Sequence, residues 1–571
     1  MRLIWDILEP DPALVQQLAT ALGIDPMVAA VLINRRITSP EAANAFLAPS
    51  LHDIKPPQAI MDIEKAAARL VQALKTEEEI LVFGDYDVDG VTATALLLDF
   101  LRTAGGRVSH YIPHRQKEGY GLRASHIHGR ILPGGYRLVI TVDCGISSHD
   151  AVLAAASEGI DIIITDHHQP SAHLPEAVAV INPKRDDCAA GLDHLAGVGM
   201  AFYLLIELRR QLRSTGFWHD RAEPNLKQFC HLVALGTIAD MVPLVEENRA
   251  FIRAGLAGMA SHPGIKALMD VSRVTPERIE TEDVAFRLAP RLNAAGRMAH
   301  ANLALRLLTT QSARRAKRIA RTLDRLNLRR QQTEKTIADQ IRQRIENRPD
   351  ILDRRALIMA ANDWHEGVLG IVAARFAREY SRPVILLTQK GNRLRGSARS
   401  IPGIDLYGLL SLCGVHLDHF GGHAMAAGLT LQADQLAAFE RHLLSILAEQ
   451  TRPEDYLHRL IIDAEIDLRQ ISTRLLDQLE SLQPFGQAIP EPLFLVRDIA
   501  IESQRVVGGH HRQFTLRPHH QASGTRYQAI QFNIDPDQGP PTHFNRLAVH
   551  LRWNRWNGAK RPQLMVVATD P

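Results

Sequence analysis

Six carboxylates and two imidazoles recur at the ends of apolar segments in the first half of this 571-residue chain. GDYDVDG puts Asp85, Asp87 and Asp89 at alternate positions after EILVF, and DCG puts Asp143 after RLVITV. Asp166, His167 and His168 follow DIIIT, and Asp240 follows HLVALGTIA. A single acid of this kind reads as a helix N-cap and a single histidine as part of a polar loop. That explanation covers one or two of the four sites, not all of them. Carboxylates gathered in such number repel one another unless cations neutralise them. Hard divalent ions take oxygen ligands, and one or two imidazoles shift the preference from Mg²⁺ toward Mn²⁺. Two such ions about 3.5–4 Å apart, bridged by one carboxylate, suit phosphoester hydrolysis: one makes the nucleophile from water and both stabilise phosphate charge. DxDxDG on its own resembles a calcium loop. The absence of a glutamate at the twelfth position, the strand before it and the helix after it all contradict that unit.

Acids scattered over 150 residues meet only if the fold brings them together. Between residues 60 and 310 apolar, β-branched strands alternate with amphipathic helices, which predicts a parallel sheet covered on both faces. In such sheets ligands bind at the carboxyl ends of the strands, where each of these acids is expected to sit. Residues 1 to about 50 read as a helical lead-in, with Ser39 as an N-cap. From 312 to 348 an apolar stripe of Ile319, Leu323, Leu326, Ile337, Ile341 and Ile345 predicts one long helix or two collinear ones. A second α/β segment runs from ALIMAA to about 450. Strands then dominate, with turns at Gly508–Gly509 and Gly539–Pro541, as in a small β-barrel.

The composition is that of an ordinary globular protein, with 46% hydrophobic and 23% charged residues. No apolar run approaches the roughly 20 residues of a membrane span. Acids and prolines interrupt MRLIWDILEPDP where a signal peptide would be continuous, so a cytoplasmic location without membrane attachment is expected. Four cysteines without a CxxC pair argue against disulfides and structural zinc. The net charge of +3 says little, but its distribution is uneven. From residue 495 onward ten Lys and Arg face five Asp and Glu, interleaved with Phe514, Tyr527, Phe532, Phe544, Trp553 and Trp556. A second basic run is RRAKRIARTLDRLNLRR, residues 314–330.

The ordered acidic sites with a literal DHH, followed by GGHAMAAG (421–428), resemble the DHH/DHHA1 phosphoesterase superfamily. YIPHRQKEGYGL (111–122), PRLNAAGR (290–297), GSARS (396–400) and QPFGQAIPEPLF (483–494) extend the likeness over essentially the whole chain, to the RecJ family of exonucleases. The resemblance implies a helical lead-in at 1–55, a parallel-sheet DHH catalytic domain at 56–311 and a connecting helix at 312–350. A smaller α/β DHHA1 domain at 351–452 and an OB-like β-barrel at 453–571 would complete the chain. It implies a 5′→3′ exonuclease that degrades single-stranded DNA to mononucleotides in recombination and repair.

By the same resemblance, Asp85, Asp87, Asp89, Asp143, His167 and Asp240 would hold two Mn²⁺ or Mg²⁺ ions, with Asp143 as the bridge. His168 would meet the scissile phosphate as acid or charge stabiliser, and Asp166 would orient His167. Arg115, Arg297, Ser397 and Arg399 would form a pocket for the 5′-phosphate, since the planar guanidinium fork binds phosphate oxygens bidentately. His423, between small residues, would contact DNA near the cleft. The barrel would bind the strand by stacking and backbone-tracking cations. Single-strand-binding protein and a RecQ-type helicase are the implied partners of a monomer. Two other readings are a phosphodiesterase for short oligonucleotides or cyclic dinucleotides, and a nucleic-acid scaffold with a dead site. The length of the chain speaks against the first and the intact acidic positions against the second.

Overall fold

EILVF, RLVITV and DIIIT are continuous apolar runs because the strands they form are buried on both faces. In the computed structural model, which describes residues 3–519, 525–534, 539, 541–556 and 559–570, they are the central strands of a five-stranded parallel sheet. Its spatial order is Arg107–Tyr111, Glu79–Gly84, Leu138–Val142, Asp161–Thr165, Ala179–Ile181. The register pairs Gly84 with Val142, Val142 with Thr165, and Thr165 with Ile181. The ladder continues one residue further. Asp85, Asp143 and Asp166 donate their backbone N–H groups to the carbonyls of Val142, Thr165 and Ile181 at 3.3, 3.0 and 3.0 Å. Three acids from three strands therefore stand in one row along the carboxyl edge of the sheet. The helix Val88–Thr103 packs on the sheet and beneath Gly197–Ser214 and Cys230–Asp240, which explains why thirteen of its sixteen residues are buried. The opposite face is sealed by Ile127, Ile131, Val152 and Ala155 against Leu81, Phe83, Val139, Ile162 and Ile164. Asp240 departs from the expected placement, since it ends a helix and not a strand.

The two-helix alternative for the connecting segment is not realised. One helix, Ala313–Asn347, runs for 35 residues behind a Ser312 cap that accepts from the Arg315 N–H. Its first half buries Ala316, Ile319, Ala320, Leu323 and Asn327. Its second half gives Ile337, Ala338, Ile341 and Ile345 to the core of the next segment, while Leu326 is only half-buried. That segment is a mixed sheet in the order His419–His423, Ala426–Gln432, Arg393–Arg399, Val384–Lys390, Leu357–Ala361, with only the last pair parallel. These elements, residues 56–240 and 255–458, form one compact unit with the parallel sheet.

The other unit comprises residues 4–55, 241–254 and 459–571. Phe494–Val507, His511–Pro518, Tyr527–Gln531, Ala559–Asp570 and His543–Trp556 pair in that order. Phe494–Val507 then pairs with His543–Trp556 and closes a five-stranded barrel. Phe514 and Phe544 meet edge to face at 5.5 Å inside it, so they belong to the core, and Tyr527 is also buried; Phe532 is exposed. The Trp556 side chain and Pro540 of the expected 539–541 turn lie outside the described residues. Residues 4–55, expected as a separate lead-in, share the barrel's core through Leu18, Val28, Val31, Leu32 and Phe46. Arg249, from a segment expected within the catalytic domain, stacks its guanidinium 3.6 Å from the Phe46 ring centre. It donates to the carbonyls of Phe46, Leu482, Gln483 and Pro484. No single helix among the described residues is long and apolar enough to cross a membrane. Only the bent pair Pro12–Leu22 and Pro26–Asn34 passes that test together, and its apolar residues are buried in this core.

Candidate metal centre

At the carboxyl edge of the parallel sheet the donor atoms fall into three overlapping sets, each within 4.8 Å: Asp85–Asp87–Asp143, Asp89–His167–Asp240 and Asp143–His167–His168. His167 Nε2 is the common point, 3.1 Å from Asp143 Oδ1, 3.6 Å from Asp240 Oδ2 and 3.7 Å from Asp89 Oδ2. Local backbone geometry creates this crowding. Asp143 sits at φ +59°, in the left-handed region that Asp tolerates better than most residues. Gly197 lies so close that a Cβ there would stand 2.8 Å from Asp143 Cβ. Asp87 caps its own helix through the Gly90 N–H at 3.1 Å, as the N-cap explanation requires. Asp89 instead caps a distant helix, accepting the Gly197 and Val198 N–H groups at 2.6 and 2.8 Å.

Burial raises Asp85, Asp143 and Asp240 well above the carboxylate range, and their charged neighbours raise them further. Asp89 is pushed up to about 7 by burial and then by Asp87. Burial and the charge of His168 push His167 down to about 3. Asp85 Oδ1, Asp143 Oδ1 and His167 Nε2 are buried without a hydrogen-bond partner. Each such atom costs about 1–3 kcal/mol in an otherwise packed interior. Three orphans on one centre, oxygen-rich with one imidazole, are the donor set of a hard or borderline divalent cation, and the residues fit one.

Asp166 does not direct the His167 ring, contrary to expectation. Its Oδ1 lies 2.7 Å from His168 Nδ1 and also accepts the backbone N–H groups of His167 and His168, while Oδ2 accepts that of Ile146. Burial alone would raise the Asp166 carboxyl, but these contacts and both imidazoles hold it at about 2. Burial works to lower His168, and the Asp166 hydrogen bond with the charges of Asp166, Asp87 and Asp85 raises it above its ordinary value. The reason is geometric: side chains of consecutive residues point apart, so the acid serves the second neighbour and not the first. Two supports were missed in the sequence. Tyr120 Oη lies 3.1 Å from the Asp143 carbonyl and 3.2 Å from His168 Nδ1, and Asn182 Nδ2 donates to the His168 carbonyl at 2.8 Å. An aromatic between two glycines at φ +79° and +80° was the available signal for Tyr120.

A cleft of about 1680 Å³ opens beside this row, lined by Arg115, Tyr120 and His168 on one side and Ser397, Arg399 and His423 on the other. His423 stacks on His168 at 6.1 Å and 15°. Arg399 Nη1 donates to the Ala398 carbonyl at 2.8 Å and Ser397 Oγ at 3.3 Å, and the Arg115 guanidinium lies over the Tyr86 ring. Gly370 makes room for this group, since a Cβ there would stand 2.7 Å from the Arg399 guanidinium and 3.0 Å from Ser397 Oγ. Arg297 lies behind the cleft lining, donating to the Gly367 carbonyl at 3.2 Å with Nε unpartnered. Burial, then Arg115 and other guanidiniums, lowers Arg297 to about 9; burial and Arg115 lower Arg399 to about 10.

Three family models match along the chain in the same order as these bodies. They are the DHH family N-terminal domain at residues 79–237, the DHHA1 domain at 353–449 and the RecJ OB domain at 462–568. The single-stranded-DNA-specific exonuclease RecJ of Escherichia coli (strain K12) is 36% identical over 538 residues, covering 90% of this chain and 92% of that one. This chain belongs to the RecJ family. The RecJ of Dickeya dadantii (strain 3937) is 38% identical, with 88% of this chain and 89% of that one covered. The crystal structure of Thermus thermophilus RecJ in complex with Mn²⁺ matches with a TM-score of 0.84 at 29% identity, over 100% of this chain and 80% of that chain. The Mg²⁺ complex of the same RecJ matches at 0.75. The architecture is therefore that of the family: a DHH parallel sheet, a DHHA1 body and an OB barrel.

Proposed function

We propose that this chain is a two-metal-dependent 5′→3′ exonuclease that degrades single-stranded DNA to mononucleotides, serving recombination and repair. One observation carries the reading: the buried, orphaned donors of Asp85, Asp143 and His167 lie next in sequence to Tyr86, Cys144 and His168, and Tyr86 and His168 line a cleft that also holds the Arg115 and Arg399 guanidiniums. Asp85, Asp87 and Asp143 would hold one Mn²⁺ or Mg²⁺ ion and Asp89, His167 and Asp240 the other, with Asp143 shared. Bound there, divalent cations supply a water of lowered pKa and neutralise the phosphate oxygens. His168, with Nδ1 committed to Asp166, keeps Nε2 for the substrate, protonating the departing 3′-oxygen or stabilising phosphate charge. Arg115, Arg399 and Ser397 would take the 5′-phosphate, Arg297 supporting them from behind. His423 would pack against the nucleotide beside His168.

In this reading residues 56–311 carry the chemistry, 351–452 the end recognition and 453–571 the strand binding. In the same reading the chain acts as a cytoplasmic monomer that meets single-strand-binding protein and a RecQ-type helicase, a reading that the likeness to the family supports. Digestion of 5′- and 3′-labelled single- and double-stranded DNA with Mn²⁺, Mg²⁺ or chelator tests the proposal. Mononucleotides released from the 5′ end of single strands only, and only with metal, are expected. Metal-independent release, or release from the 3′ end, overturns it.

A further inference from the structure

The basic run 314–330 has no part in the cleft, yet its geometry is specific. Arg314, Lys317, Arg318, Arg321, Arg325 and Arg329 are all exposed on the first half of the helix Ala313–Asn347. At 3.6 residues per turn, positions 314, 318, 321, 325 and 329 share one face, and Lys317 flanks it. The buried residues Ala316, Ile319, Ala320, Leu323 and Asn327 occupy the opposite face, so the cations point directly away from the body of the unit. The stripe extends for about 22 Å. Its one acid, Asp324, is committed to Arg291 at 2.8 Å. No ion pair engages any of the six cations among the described residues, and five of them line a single shallow groove. Their neighbours at i+3 and i+4 are like charges, an arrangement that weakens a helix unless a polyanion lies along it.

Among polyanions the chemistry favours the DNA backbone. Five of the six cations are Arg, the residue that grips phosphate bidentately. The stripe carries no aromatic side chain, whereas surfaces for single strands combine cations with stacking platforms. A duplex presents a dense, regular array of phosphates on its two strands, and a stripe of this length spans several of them. We propose that this face of the connecting helix holds the backbone of duplex DNA, the duplex from which a single-stranded 5′ tail enters the cleft. The proposal rests on the exonuclease reading for the tail and on the helix alone for the duplex.

The test is fluorescence anisotropy, in chelator, of a 5′-tailed duplex and of the tail strand alone. It compares the wild type with Arg314→Ala/Arg318→Ala/Arg321→Ala/Arg325→Ala and with the fourfold Arg→Lys variant. Alanine and lysine both favour helix, so the fold is kept. The Ala variant is expected to bind the tailed duplex about tenfold more weakly, with a salt slope lower by about 3, and the tail strand within about twofold of the wild type. The Lys variant should bind the tail strand as the wild type does and the tailed duplex with an affinity between those of the wild type and the Ala variant, since it keeps the charge and loses the bidentate grip. Equal loss on both DNAs, or no loss, overturns the duplex assignment. An oligo-aspartate peptide that binds the wild type more tightly than the tailed duplex, and is the ligand lost on mutation, also overturns it in favour of an acidic protein surface. Metal-dependent digestion of the free single strand by all three proteins separates this question from the proposed function, which fails only if the wild type does not digest it.

Discussion

Asp166 Oδ1 lies 2.7 Å from His168 Nδ1 and accepts two backbone N–H groups besides, so one buried carboxylate fixes both the ring and the loop that carries it. With Nδ1 held, His168 presents Nε2 to the cleft. In the proposed function, replacement by Ala removes a positioned proton donor or cation without removing any carboxylate. His168→Ala is therefore expected to lower kcat by about 10²–10⁴-fold. Mn²⁺ binding and the affinity for single-stranded DNA in chelator should change little. Tyr120→Phe, which removes a hydroxyl 3.2 Å from the same ring, should cost less than the alanine change. Single-turnover digestion beside calorimetric Mn²⁺ titration checks the separation.

Gly197 and Asp143 are too close for any other residue at position 197. A Cβ there would lie 2.8 Å from Asp143 Cβ and 3.0 Å from Oδ1, forcing the carboxylate out of its place. Gly197→Ala should raise the Kd for Mn²⁺ about 10–100-fold, the range for changes behind a metal ligand. The thermal midpoint without metal should change far less than metal affinity. Retained Mn²⁺ affinity would remove Asp143 from the ligand set.

Much of the metal centre was legible because buried parallel strands leave a simple signature. Each is a short apolar run, and the residue after its last apolar position must sit at the carboxyl edge, so Asp85, Asp143 and Asp166 could be placed in one row. Asp240 was harder. HLVALGTIA is apolar all round and fits a buried helix as well as a strand, and the structure makes it a helix. The partner of Asp166 depended on side-chain direction at a strand end, and the setback of Arg297 on how deeply its helix is buried. Neither has a local signature. The union of residues 4–55 and 241–254 with the barrel rests on contacts such as those of Arg249 with Phe46 and residues 482–484, far apart in the chain.

In the proposed function, recognition of the strand end can be separated from catalysis at Gly370. Its missing side chain admits the Arg399 guanidinium and Ser397 Oγ, which a Cβ would approach to 2.7 and 3.0 Å. Gly370→Ala and Arg399→Ala should both raise KM for 5′-phosphorylated strands about tenfold or more, the loss of one charge-assisted contact. Both should leave 5′-hydroxyl strands nearly unaffected, shrinking the preference between the two. A variant that slows both substrates equally through kcat would place Arg399 in structural support.

His231 gives the first unit a pH dependence with a definite sign. Its ring is buried, Nδ1 meets the Gln228 carbonyl at 2.6 Å and Nε2 has no partner. Burial and the neighbouring His262 lower it to about 4. The unfolded chain, titrating near 6.5, then binds more protons than the native one below that pH. The stabilisation is complete above about pH 6.5 and is lost as the pH falls toward about 4. His231→Gln should remove about 2 kcal/mol of the stability difference between about pH 7.5 and about pH 5. Denaturant midpoints of the wild type and variant at the two pH values measure it, and parallel losses would exclude His231 as the cause.

Arg249 is the corresponding point of weakness in the second unit. It is 1% exposed, with its guanidinium over Phe46 and its N–H groups on four backbone carbonyls. Burial, with some help from Arg253, lowers it to about 9. Methionine would fill much of the volume and avoid burying a charge, but it leaves the carbonyls of residues 46 and 482–484 without donors. Lysine keeps the charge but cannot span four carbonyls from one ammonium. Arg249→Met is expected to destabilise this unit by about 3 kcal/mol and Arg249→Lys by at least as much, because its charge stays buried with fewer contacts. Calorimetry should show the melting of this unit shifted down while Mn²⁺ affinity is unchanged. If methionine proves neutral, hydrogen bonding to these carbonyls is not what joins the N-terminal helices to the barrel.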